Sequence, residues 1–90
     1  MVQRVQSVER ALGLLEALAS HANPPTIPEL AKAAGVNRAT AWRLMNTLIH
    51  FDLAERDDLT GTYKVGSGAL RLAAATDNST FVRKARPLLE

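Results

Sequence analysis

The stretch Leu30-Ala31-Lys32-Ala33-Ala34-Gly35-Val36-Asn37-Arg38-Ala39-Thr40-Ala41-Trp42-Arg43-Leu44-Met45 decides the fold. Its first half reads as a short helix that Gly35 ends, because glycine enters the left-handed conformation of a helix C-terminus without a Cβ clash. Asn37 then offers a side-chain cap for a second helix over residues 38–50. Two helices joined by so short a turn cross almost at right angles. Their contact needs a small residue, here Ala31, a glycine in the turn, here Gly35, and an apolar plug, here Val36. Ala41, Leu44, Met45 and Leu48 recur at helical spacing and predict the buried stripe of the second helix. By the same projection Ala39, Trp42, Arg43, Asn46 and His50 point outward.

Upstream, Val8, Ala11, Leu12, Leu15, Leu18 and Ala19 follow Ser7 at helical spacing, with Ser7 as the expected N-cap. Leu14 widens this stripe to nearly half the circumference, whereas a surface helix needs an apolar arc of only about 100°. The surplus edge, Ala11–Leu14–Leu18, is either a dimer seam or a surface that later segments cover. Asn23-Pro24-Pro25 ends the helix, and Pro25-Thr26-Ile27 reads as a short extended piece. Pro28 suits the first position of the next helix, where its missing N–H costs nothing.

Downstream, Phe51-Asp52 breaks the third helix. Leu53-Ala54-Glu55-Arg56 and Thr62-Tyr63-Lys64-Val65 flank the turn-forming Asp57-Asp58-Leu59-Thr60-Gly61, which predicts a hairpin. Gly66-Ser67-Gly68 reads as a spacer before an alanine-rich helix over 69–76. Three helices followed by a hairpin describe a winged helix-turn-helix, mainly α with a small β-hairpin. In the tail, residues 79–90, Phe81, Val82, Ala85, Leu88 and Leu89 share one face, with Arg83, Lys84 and Arg86 on the other. Phe81 and Leu88 are further candidates for a dimer interface. The expected division is a DNA-reading domain at 1–67 and a linker helix region at 68–90, whose unpaired apolar face at Glu90 implies a segment to follow.

Ninety residues, 47% of them apolar, suit one small domain. There are no cysteines, so no disulfide framework or thiolate metal site is expected. His21 and His50 lack ligand-spaced partners, and no metal or cofactor is expected. No apolar run approaches the roughly 20 residues that cross a bilayer, and Val2-Gln3-Arg4-Val5-Gln6 is no signal peptide. A soluble, cytoplasmic chain is the expectation.

The net charge of +2 says less than its distribution. Residues 1–37 cancel, 51–66 sum to −2 and 67–90 to +2, while 38–50 hold Arg38 and Arg43 with no acid. An acid-free helix face with arginine, an aromatic ring and an amide can read base edges in the major groove of DNA. Asp57 and Asp58 lie in a turn, where aspartate serves local hydrogen bonding, and nothing converges into an acid–base or nucleophilic site. No enzyme is expected. A winged helix can also be a protein–protein module without DNA binding, which would favour a neutral or acidic third helix with exposed aliphatics.

Val5-Gln6-Ser7-Val8-Glu9-Arg10-Ala11-Leu12 resembles the opening of IclR-family regulators. Ile27-Pro28-Glu29-Leu30-Ala31, Gly35 to Ala41, Arg43-Leu44, Leu53-Ala54-Glu55-Arg56 and Tyr63-Lys64-Val65-Gly66 continue the resemblance over essentially the whole chain. It implies a homodimer on a near-palindromic double-stranded operator; with only the first-helix edge and part of the linker to pair, association at this chain length is expected to be weak. It also implies a linker helix and a larger domain that binds a small-molecule effector. Carried across, Arg38, Thr40 and Arg43 match the start of the recognition helix, where arginine serves guanine or phosphate. Thr40 and Thr26 are candidate phosphate contacts, and Lys64 is the basic candidate on the wing; Arg4 and Arg56 are further cations. Trp42 replaces the family's frequent histidine or tyrosine, and Thr62 a frequent arginine. With Asp57 and Asp58 nearby, this wing should attract phosphate less than usual.

Overall fold

A computed structural model describes residues 3–75. The order is α1 (Gln6–Ser20), α2 (Ile27–Ala34), α3 (Arg38–His50), β1 (Ala54–Asp57), β2 (Thr62–Val65) and α4 (Ser67–Ala74). This is the winged helix expected from the sequence. Val5, not Ser7, occupies the N-cap position of α1 and offers no side-chain hydrogen bond. An exposed Arg4–Glu9 ion pair at 2.9 Å lies at the entry, with Glu9 in the first turn, where the helix dipole favours an anion.

One core joins the three helices to the wing. Leu14 and Leu18 of α1, Leu30 and Ala31 of α2, Ala41, Met45 and Leu48 of α3, and Ala54 and Tyr63 of the hairpin are all buried. Leu14 and Leu18 are 0% and 4% exposed, and Ala11 packs beside them, so this edge of α1 is not a dimer seam. The wide arc arises because α2, α3 and β2 all pack on α1. The large apolar side chains exposed along α1 are Val8 and Leu12, with Val5 exposed at its N-cap. Phe81 and Leu88 lie outside the described residues.

The helix-turn-helix closes as its residue types require. Gly35 has φ +71°, and the Val36 N–H reaches Ala31 O at 3.0 Å. Asn37 Oδ1 accepts the Thr40 backbone N–H at 2.7 Å and so caps α3. In α3, Ala41, Met45 and Leu48 are buried and Leu44 half-buried. Ile27 opens α2 and Pro28 comes second, one place later than expected, still within the first turn whose N–H groups lack helical partners. Thr26 and Glu29 form a capping box there.

The hairpin pairs Ala54 with Val65 and Arg56 with Tyr63. The extended piece at Pro25-Thr26 continues it: Thr26 bridges Thr62, and the Tyr63 N–H donates to Pro25 O at 2.9 Å. Asp57 Oδ1 accepts the Leu59 and Thr60 N–H groups, the local role expected for an aspartate in a turn. Gly66-Ser67-Gly68 is not a spacer. Ser67 opens α4, and a Cβ on Gly66 or Gly68 would meet Asp52 O at 2.3 or 2.6 Å. The two glycines let α4 and the wing close on the corner after α3, where Asp52 takes φ +63°.

Candidate nucleic-acid interface

Arg38, Ala39, Trp42, Arg43, Asn46 and His50 are exposed along α3, and Thr40 is half-buried beside them. The helix thus presents the outward face that its periodicity predicts. Trp42 retains 46% exposure, so its indole is not absorbed by the core. Among the described residues, Arg4, Lys64 and Arg71 are ion-paired, and Arg56 is hydrogen-bonded on two nitrogens. The Arg38 and Arg43 guanidinium groups have no such partner. Arg10, on α1, and Lys32, on α2, share that freedom, and Lys32 lines one surface depression with Asn37 and Arg38.

Arg56 is the member of this surface that the sequence left as a spare cation. Its guanidinium carbon lies 4.4 Å from the centre of the Trp42 ring, within cation–π range. Its Nε donates to the Tyr63 hydroxyl at 3.0 Å, and its Nη2 donates to Asn46 Oδ1. The wing strand is thereby tied to two residues of the α3 face, and through Tyr63 to the core. Strand alternation from the buried Ala54 would have turned Arg56 inward. Only the register, which sets it opposite Tyr63, identifies its partner.

Lys64 and Thr26 are not drawn into this group. Lys64 follows Tyr63, so it takes the opposite face of the hairpin, where its ammonium is 3.7 Å from Glu55. The Thr26 hydroxyl donates to Glu29 Oε1 at 3.1 Å, and the Thr26 backbone N–H donates to the same oxygen at 2.8 Å. The backbone bond, then the hydroxyl, hold the Glu29 carboxyl below the usual glutamate range. A phosphate approaching Thr26 would therefore compete with a fixed carboxylate for the hydroxyl proton. Among the described residues no group of His, Cys, Asp or Glu is placed to hold a metal ion, and no helix is long and apolar enough to cross a membrane.

The three-helix core, the wing and an exposed cationic helix face together define a winged helix-turn-helix domain. The IclR helix-turn-helix domain matches residues 7–58, and the chain belongs to the IclR family. The glycerol operon regulatory protein of Streptomyces coelicolor is 33% identical over 72 residues, covering 80% of this chain and 28% of that protein. The crystal structure of an IclR-family transcriptional regulator from Brucella abortus superposes with a TM-score of 0.74 at 31% identity, over 82% of this chain and 28% of that one. A transcriptional regulator from Alicyclobacillus acidocaldarius gives 0.75 at 32% identity, over 80% and 29%. The chain thus spans less than a third of the length of these relatives. The family match and the regulators the chain resembles support a role in DNA-binding transcription regulation.

Proposed function

We propose that this chain reads an operator for an IclR-type bacterial transcriptional regulator, with α3 in the major groove of each half-site. The observation that carries the reading is the acid-free α3 face on which Arg38 and Arg43 are exposed and unpaired while the neighbouring wing cations are engaged. Side chains held by no internal partner can turn to bases and phosphates without breaking an internal hydrogen bond or ion pair. Arg38, Ala39, Thr40, Trp42, Arg43 and Asn46 form the contact surface; Lys64, on the other face of the hairpin, and Thr26, whose hydroxyl is engaged by Glu29, are left as separate candidates for the DNA backbone. Recognition is by a homodimer on a near-palindromic site, in the cytoplasm, with residues 1–67 reading DNA and 68–90 leading on as a linker. Control by a small-molecule effector, through a separate domain, belongs to the same proposal.

Arg43→Ala tests it. Binding to duplexes selected by the wild-type chain from a randomised pool should weaken by about 1–3 kcal/mol, with relaxed preference at one base pair if Arg43 reads a base. Uniform weakening across sequences would make Arg43 a phosphate contact. Unchanged binding to the selected duplex would remove α3 from the groove.

A further inference from the structure

The bond between Arg56 and Asn46 has a consequence for base choice. An unrestrained asparagine rotates its carboxamide freely and reads adenine with both ends, the oxygen accepting from N6 and the nitrogen donating to N7. Asn46 does not have that freedom. Arginine carries only donors, so the amide atom facing Arg56 must be Oδ1. Turning the amide over would lose a charge-assisted hydrogen bond and set an NH2 group against a guanidinium. The guanidinium is itself held, with Nε on the hydroxyl of the buried Tyr63 and its carbon near the exposed ring of Trp42.

We propose that Arg56 is a positioning residue for base recognition: by holding Asn46 Oδ1 it leaves the Asn46 NH2 group as the end offered to the groove. Asn46 then favours a base edge that presents acceptors alone, guanine through N7 and O6 or thymine through O4, over adenine, whose N7 accepts but whose N6 donor is left without the amide oxygen that Arg56 holds. This rests on α3 lying in the major groove. Arg56 contributes through Asn46, without touching the base itself.

The experiment uses the 90-residue chain, a randomised duplex pool and four variants: Arg56→Lys, Asn46→Ala, the two combined, and Asn46→Asp. Wild type should enrich guanine or thymine at one position of each half-site. Arg56→Lys keeps the charge but loses the planar fork. It should cut that preference about tenfold, admit adenine, and leave the salt dependence of binding unchanged. In the Asn46→Ala background Arg56→Lys should alter no base preference, because its intermediary is gone. Asn46→Asp retains the acceptor for Arg56 but has no donor, so it should lose guanine and thymine in favour of cytosine, whose N4 donates. Emission from Trp42, the one tryptophan of the chain, should change in Arg56→Lys and persist in Asn46→Asp.

Arg56→Lys that weakens all sequences equally with the motif intact would make Arg56 a phosphate contact and overturn the proposal. A preference shift that survives in the Asn46→Ala background would make it a direct base reader, which overturns the proposal as well. Asn46→Asp that retains guanine or thymine would show that the NH2 group does not face the base. A wild type that enriches no sequence would overturn the DNA reading itself. A motif sensitive to Arg43→Ala but not to Asn46→Ala would overturn the clamp alone.

Discussion

Replacing Gly66 with alanine should unfold this domain far more readily than its conservative appearance implies. Gly66 has φ −89° and ψ 169°, which any residue adopts, so no backbone strain is involved. The difficulty is space. A Cβ there would lie 2.3 Å from Asp52 O and 3.0 Å from Ala54 N, both backbone atoms that no rotamer change can move. Relief requires the α4 entry to retreat from the α3–wing corner. That retreat stretches two bonds, Gly66 N–H to Leu53 O at 2.9 Å and Gly68 N–H to Asp52 O at 2.7 Å. Both glycines are buried, and a buried polar group left unsatisfied costs about 1–3 kcal/mol. Loss of one such bond plus residual overpacking puts the cost at about 2–5 kcal/mol, a large share of the ~5–15 kcal/mol that holds a domain together. Gly13→Ala supplies the control, since a Cβ there meets nothing within 4 Å and the residue lies inside α1. It should stabilise by about 0.4–1 kcal/mol through the unfolded chain. Urea unfolding followed by Trp42 emission and by helical circular dichroism measures both. If Gly66→Ala falls within about 0.5 kcal/mol of wild type, the steric reasoning at this corner is wrong.

Thr26→Ala should lower stability by about 0.5–2 kcal/mol in the same assay, as loss of a helix cap does. The Glu29 carboxyl is held below the usual glutamate range, so its contribution is complete above the unfolded-state pKa and disappears as pH falls through the folded-state value. Glu29→Gln should therefore be less stable than wild type near neutrality and show a smaller further loss on acidification, read from urea midpoints at descending pH. Binding to operator DNA should weaken with salt at a log–log slope of roughly −5 to −7 for a dimer using three or four cations per subunit, at about −0.9 per phosphate. The ion pairs of Arg4 and Lys64 favour the shallow end, and titration at several ionic strengths decides it. Replacing Asp57 and Asp58 together with asparagine should strengthen binding to specific and scrambled DNA alike, most at low salt. The amide oxygen at 57 can still accept the Leu59 and Thr60 N–H groups; no gain on either DNA would mean the wing stays clear of the backbone.

The elements that could be read from sequence are those whose determinants are local. Gly35 with Asn37, and the stripe of Ala41, Met45 and Leu48, lie within a few turns of helix, where caps and a 3.6-residue period act directly. Three features escape such a reading because contacts made in the folded chain, not residue preferences, bear on them. Ser7 is a better capping residue than Val5, yet the helix starts ahead of it, with an Arg4–Glu9 ion pair spanning the first turn. The Leu14–Leu18 edge is ambiguous in sequence because the segments that bury it come from α2, α3 and β2. Gly66-Ser67-Gly68 has the composition of a linker, and only the approach of Asp52 makes those glycines a close contact.

For the site, a helical projection is enough to turn Trp42, Arg43 and Asn46 outward, but it cannot say which way an outward side chain is held. That information comes from β1, ten residues beyond Asn46, and depends on a hairpin register that pairs Arg56 with Tyr63. An arginine in a half-exposed strand is assigned by default to solvent or phosphate, because its charge is visible in sequence and its hydrogen-bond geometry is not. Here the geometry removes Arg56 from the supply of free cations and gives the α3 face a second point of attachment. The face is then a composite of helix and strand, so its reading depends on how firmly the wing is seated. That seat is built from Tyr63 in the core, its N–H bond to Pro25, and the close packing at Gly66. On the proposed reading of DNA by α3, stability at the wing corner and base choice would be coupled through one side chain, and a substitution would alter operator preference from a position that never meets DNA.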